Sequence, residues 1–152
     1  MENKRELFQF LTQNFGILNK KCCSVGQIDI TPIQNHILYE IDKQTSPSMQ
    51  QVADALGMDI TTFSRQIQTL IKMKLVKKTP SSTDKRVYIL SLTTEGMFVA
   101  GMIDKMINEY LDEVFAQMNE FEQETVIRSI QLLNKALTKT NFCCTPFSLG
   151  NE

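Results

Sequence analysis

The chain has 152 residues, of which 42% are hydrophobic and 22% charged, and its net charge is −1. That balance excludes a disordered chain, and the length fits one domain or one domain with a dimerisation extension. No apolar run reaches the roughly 18–20 residues of a membrane span, and the start Met1-Glu2-Asn3-Lys4-Arg5-Glu6 is no signal peptide, so the sequence predicts a cytoplasmic protein with no membrane contact.

Leu7, Leu11, Phe15 and Leu18 recur at helical spacing, with Phe8 widening the stripe, and predict a first helix that fades at Lys20 to Gly26. Thr31 and Pro32 supply an N-cap and a first-turn proline for a second helix that buries Ile33, Ile37, Leu38 and Ile41. Thr45-Ser46-Pro47 breaks it. Ser48 and Gln51 form a capping box for a short helix carrying Val52, Ala53 and Leu56, which Gly57 ends. Asp59 or Thr61 starts the next helix, with Phe63, Ile67, Leu70 and Ile71 inward. Residues 77–92 read as a β-hairpin around the loop Pro80-Ser81-Ser82-Thr83-Asp84. Thr93 or Thr94 caps a long helix over about residues 95–118, with Ile103, Ile107, Tyr110, Val114 and Met118 on one face. Asn119 and Glu122 cap a last helix bearing Val126, Ile130, Leu133 and Leu137. The tail, 141–152, reads as irregular.

The expected fold is therefore mainly α with a small β-hairpin wing: a winged helix-turn-helix flanked by N- and C-terminal dimerisation helices. The predicted divisions are 1–30 (dimerisation helix and linker), 31–94 (winged unit), 95–140 (dimerisation helices) and 141–152 (tail). Residues 65–86 hold seven basic side chains against one acid, Asp84, inside an otherwise acidic chain. Such a block suggests a surface for a polyanion. In a helix-turn-helix the start of the second helix enters the major groove of double-stranded DNA. Here that segment offers Thr61, Thr62, Ser64, Arg65, Gln66 and Gln68, and the wing offers Asp84, Lys85 and Arg86. Arginine suits guanine, glutamine adenine, and threonine a thymine methyl or a phosphate. A plain helical hairpin with a polar outer face is the bland alternative, and it leaves the basic hairpin unexplained. Apolar positions such as Leu11, Phe15, Ile103, Ile107, Ile130 and Leu137 exceed what the small winged unit can cover, which predicts a twofold homodimer matched to two half-sites one DNA turn apart.

The run Ser48-Met49-Gln50-Gln51-Val52-Ala53-Asp54-Ala55-Leu56-Gly57, then Thr62-Phe63-Ser64-Arg65-Gln66-Ile67, Leu75-Val76, Asp84-Lys85-Arg86 and Ile89-Leu90-Ser91-Leu92-Thr93-Thr94-Glu95-Gly96 resembles the MarR family of bacterial transcriptional regulators. The resemblance implies a triangular homodimer whose paired helices read a short inverted repeat. It also implies that the arginine at Arg86 reaches the flanking minor groove, with the acid at Asp84 orienting a nearby basic group.

Four cysteines stand in two doublets, Cys22-Cys23 and Cys143-Cys144. Adjacent Cα atoms, ~3.8 Å apart, are too close for an ordinary disulfide within a doublet. Together the doublets could hold a soft ion by thiolate ligation, bridge on oxidation, or act as small buried hydrophobes. The family's peroxide-sensing branch carries a cysteine early in the first helix, where this chain has none, which shifts the expected effector toward arsenite-type metalloids or heavy metals, with thiol oxidation as the alternative. No obligatory cofactor is expected. His36 stands in no catalytic motif, and a nucleophile built from Cys23 and His36 lacks a third orienting group, so the chain is read as no enzyme. The leading reading is a dimeric repressor whose DNA affinity is set by a small effector at the cysteines; a winged-helix protein-interaction adaptor is the alternative.

Overall fold

The computed structural model describes residues 3–18 and 23–140. The chain forms two compact units, Met1–Asn108 and Glu109–Glu152. Helix α1 (Lys4–Asn14) is followed by a 3-10 turn at Gly16–Leu18, so the first apolar stripe is split rather than continuous. Strands β1 (Cys23–Val25) and β2 (Ile28–Ile30) then pair antiparallel around Gly26, whose φ of 62° suits the tight reversal. This hairpin replaces the fading helix and linker expected there. Val25 and Ile28 pair next to the turn, and Cys23 pairs with Ile30 at the inner end.

Three capped helices follow. In α2 (Pro32–Lys43) the Thr31 hydroxyl accepts from Gln34 N–H while the Gln34 side chain accepts from Thr31 N–H. In α3 (Met49–Ala55) Ser48 and Gln51 do the same. Helix α4 (Ile60–Lys72) begins at Asp59, not Thr61: the Asp59 carboxylate accepts from Thr62 N–H at 2.9 Å. Their inward stripes meet in one core of Ile37, Leu38, Val52, Ala53, Phe63, Ile67 and Leu70. Two expected core positions lie outside it, since Ile33 is 48% and Ile71 37% exposed. Each stands at the edge of its stripe, one position beyond the arc that the core covers.

Strands β3 (Val76–Pro80) and β4 (Tyr88–Leu92) form the wing, in the register Val76 to Leu92 through Pro80 to Tyr88. The wing is fastened to the link before α3, where Leu90 N–H donates to Pro47 O at 2.8 Å. A second fastening joins α4 to α5 (Thr94–Phe115). Thr93 donates its hydroxyl to Lys74 O at 2.7 Å and accepts from Gly96 N–H at 2.9 Å, so Thr93 is the cap. A Cβ at Gly96 would fall on the carbonyl of Leu75, and only glycine permits this approach.

Ile103 is fully buried in the core with Val99. It belongs to the winged unit's interior and not to an outer dimer face, because the first turns of α5 pack on the core. In the second unit, α6 (Glu120–Leu137) starts with a capping box between Asn119 and Glu122. The Gln123 amide donates to Phe115 O and Met118 O, satisfying carbonyls at the end of α5. No residue of α6 is buried, and Phe121 and Leu132 are 77% and 70% exposed.

Candidate nucleic-acid interface

Phe63, Ile67 and Leu70 face the core, and at about 100° per residue the opposite side of α4 carries Thr61, Arg65 and Gln68. These three and Thr62 are exposed, while Ser64 and Gln66 are half-buried at the flanks. Thr61, relieved of capping, is a surface side chain like its neighbours. The Asp59 carboxyl is held below its usual range, first by the hydrogen bond to Thr62, so it is ionised and fixes the start of the helix.

On the wing, Asp84 and Arg86 form a local unit. Arg86 Nε and Nη2 donate to Asp84 Oδ1 and Oδ2 at 3.2 and 3.3 Å, and Arg86 N–H donates to Oδ1 at 3.0 Å. The Arg86 side chain is 91% exposed even so. The bond to the Arg86 side chain, then that to its backbone, lowers the Asp84 pKa. The loop is closed by Ser81 N–H to Val87 O at 2.7 Å and Val87 N–H to Asp84 O at 3.0 Å. Lys85 is exposed beside them. The sequence reading counted Lys78 only as part of the basic block and missed its contact: Lys78 Nζ lies 4.4 Å from the centroid of the Tyr88 ring. The hairpin register was its only signal, because the two residues are ten positions apart in sequence.

The cysteine reading meets a different environment. Cys23 is 3% exposed and packs into the core beside Ile30, so its side chain is not presented from a polar stretch. Cys22, Cys143 and Cys144 lie outside the described residues. Among the described residues no group of three or more His, Cys, Asp or Glu could hold a metal. No described helix is long and apolar enough to cross a membrane. His36 is exposed and lines a cavity of about 370 Å³ with Tyr39, Asp42, Met97 and Asp104.

Residues 30–88, from the end of β2 to the start of β4, match the MarR family. Over that stretch the chain is MarR-like. The chain is 33% identical over 92 residues to the HTH-type transcriptional regulator PrsX of Escherichia coli, an alignment covering 60% of the chain and 52% of the relative. The chain thus spans about half the length of that curated relative. It is 26% identical over 108 residues to the HTH-type transcriptional regulator BilQ of Clostridium symbiosum, covering 71% and 73%. Those relatives are regulators by name, as the non-enzymatic reading expects. Among solved structures the fold matches Streptococcus pneumoniae FabT in complex with DNA, at a TM-score of 0.79 and 19% identity over 90% of this chain and 99% of that one. It also matches an S. aureus MepR–DNA complex, at 0.74 and 24% identity over 92% and 100%.

Proposed function

We propose that this chain is a MarR-family DNA-binding transcriptional regulator that acts as a homodimer on an inverted repeat. The observation that carries the reading is the two-sided character of α4. A fully buried stripe fixes the helix, and an exposed polar stripe with Arg65 at its centre is left on the other side. Arg65 can pair with a guanine edge, with Thr61, Thr62, Ser64, Gln66 and Gln68 as shorter neighbours. Arg86, presented by Asp84, and Lys85 supply contacts from the wing. FabT and MepR, which share the fold, have each been crystallised with DNA. The partner for dimerisation is a second copy. In α1, Leu7, Phe10 and Leu11 are 48%, 68% and 54% exposed, and none of α6 is buried, so both terminal elements carry apolar surface that one chain leaves in water. Selection from a random double-stranded library tests the reading. Enrichment of a short inverted repeat is expected, and no enrichment above background would contradict it.

The finer reading is that thiol chemistry at Cys22, Cys23, Cys143 and Cys144 sets DNA affinity, with a trivalent metalloid such as arsenite or a soft metal ion as effector and release of DNA as the response of a repressor. Its support is the pairing of the cysteines in sequence. The burial of Cys23 gives it a mechanical form. A ligand that captures Cys23 must draw β1 off the core, and Ile30, paired with Cys23, directly precedes the Thr31 cap of α2. Gel shifts with reduced protein and arsenite, cadmium or a thiol oxidant test this. Release of DNA by wild type and none by a variant lacking both doublets is expected, whereas equal release by that variant would overturn it.

A further inference from the structure

Lys78 and Tyr88 sit where the wing leaves the core. In the register, Lys78 faces Leu90 and Pro80 faces Tyr88, so Lys78 and Tyr88 are diagonal neighbours on one face of the hairpin. The inner positions of that face, Val76 and Leu90, are 2% and 0% exposed. Lys78 and Tyr88 are the first step outward, both exposed, with the ammonium 4.4 Å from the ring centroid.

We propose that Lys78 is a phosphate-contacting residue of the DNA interface and that Tyr88 positions it. The proposal rests on the DNA-binding reading above and adds a second cationic station to the wing, separate from the Asp84–Arg86 tip. The chemistry of the restraint favours this role. A lysine stem is flexible, and holding it costs rotamer entropy. A carboxylate would hold it by cancelling its charge, as happens in part where Asp84 holds Arg86. An aromatic face holds a cation through its quadrupole and leaves the full unit charge outward. Among the described residues no carboxylate pairs with Lys78. The lysine is thus ordered without being neutralised, which is what a preformed phosphate contact requires and what a merely stiffened hairpin does not. Its neighbour Lys77 points to the other face by strand alternation, so the two adjacent lysines are not equivalent.

The test is the salt dependence of binding of the full-length chain to its selected DNA site. Lys78→Gln is expected to weaken binding to all sequences alike and to make the slope of log affinity against log salt shallower by about one. Tyr88→Phe, which keeps the ring, should bind like wild type. Tyr88→Leu, which keeps the charge and loses the ring, should weaken binding about 2–5-fold, the effect of an exposed cation–π contact. Both residues are exposed, so circular dichroism should show every variant folded. A wild-type slope for Lys78→Gln, measured beside Arg86→Ala with a reduced slope, would overturn the proposal and leave the DNA-binding reading standing. Wild-type binding by Lys78→Gln, Arg65→Ala and Arg86→Ala together would overturn both.

Discussion

The Asp84 carboxylate holds the Arg86 guanidinium in a two-point fork, at 3.2 and 3.3 Å, while the arginine remains 91% exposed. The acid therefore works by direction and not by burial. Asp84→Asn sets two effects against each other: it removes a negative charge that repels phosphate, and it frees Arg86 from its preset orientation. We predict that binding to random DNA stays equal or tightens while binding to the selected site weakens, so their ratio falls. Competition gel shifts measure that ratio directly.

The same fork fixes a pH window. Its pKa lies below the usual 3.8 because the Arg86 side chain, then the Arg86 backbone, bonds the ionised form. A depressed folded pKa contributes stability that is present above the unfolded value and lost as pH falls through the folded one. The Arg86 Nε–H resonance should therefore stay constant between about pH 5 and 8 and move only below 3.8.

Gly96 lies against Leu75, whose carbonyl occupies the place of an added Cβ. Backbone lies on both sides of this contact, so no side chain can swing away. Gly96→Ala should destabilise the winged unit by about 1–3 kcal/mol or more, the cost of overpacking, despite alanine's better helix propensity. Thermal unfolding checks the sign. Gly101→Ala is the control: the same helix meets nothing within 4 Å there, and the change should stabilise by about 0.4–1 kcal/mol.

Cys23 is a core residue at the inner end of β1. Serine there would bury a hydroxyl, at about 1–3 kcal/mol, while valine keeps an apolar, β-branched side chain in the strand. Denaturant unfolding should show Cys23→Ser destabilised and Cys23→Val near wild type. Any test of thiol chemistry is cleaner with valine at this position, since a serine variant confounds lost ligation with lost packing.

Much of the winged unit was legible because its signals are local. The N-cap at Thr31 and the capping box at Ser48 stand in the sequence as they stand in the structure, as does the cap at Asn119 in the second unit. The stripe of Phe63, Ile67 and Leu70 also declared the outer face of α4 by subtraction. What sequence spacing could not supply was which apolar residues the core reaches. Ile103 reads as part of a continuous stripe on α5 and is buried, whereas Met97 and Phe98 on the same helix are 53% and 63% exposed. The β1–β2 hairpin was missed because its strands are three residues long, too short for alternation to register. The Lys78–Tyr88 contact depends on register, which no helical or strand periodicity encodes.

Light scattering at micromolar concentration tests the assembly. Leu7, Phe10 and Leu11 on α1 and Phe121 and Leu132 on α6 are all about half exposed or more, and a dimer mass is expected. Leu7→Glu with Leu11→Glu should shift the mass toward monomer, since each charge would need burial at the interface. A monomeric wild type would contradict the twofold arrangement.

If the outer face of α4 reads DNA, Arg65→Ala removes its cationic reader. Equilibrium binding to the selected inverted repeat and to scrambled DNA should be measured at one salt concentration with wild type and variant. Arg65→Ala is expected to lose about 1–3 kcal/mol on the repeat, to lose less on scrambled DNA, and to tolerate substitution of one guanine position. An Arg65→Ala variant with wild-type affinity and wild-type base preference would contradict DNA reading by this face.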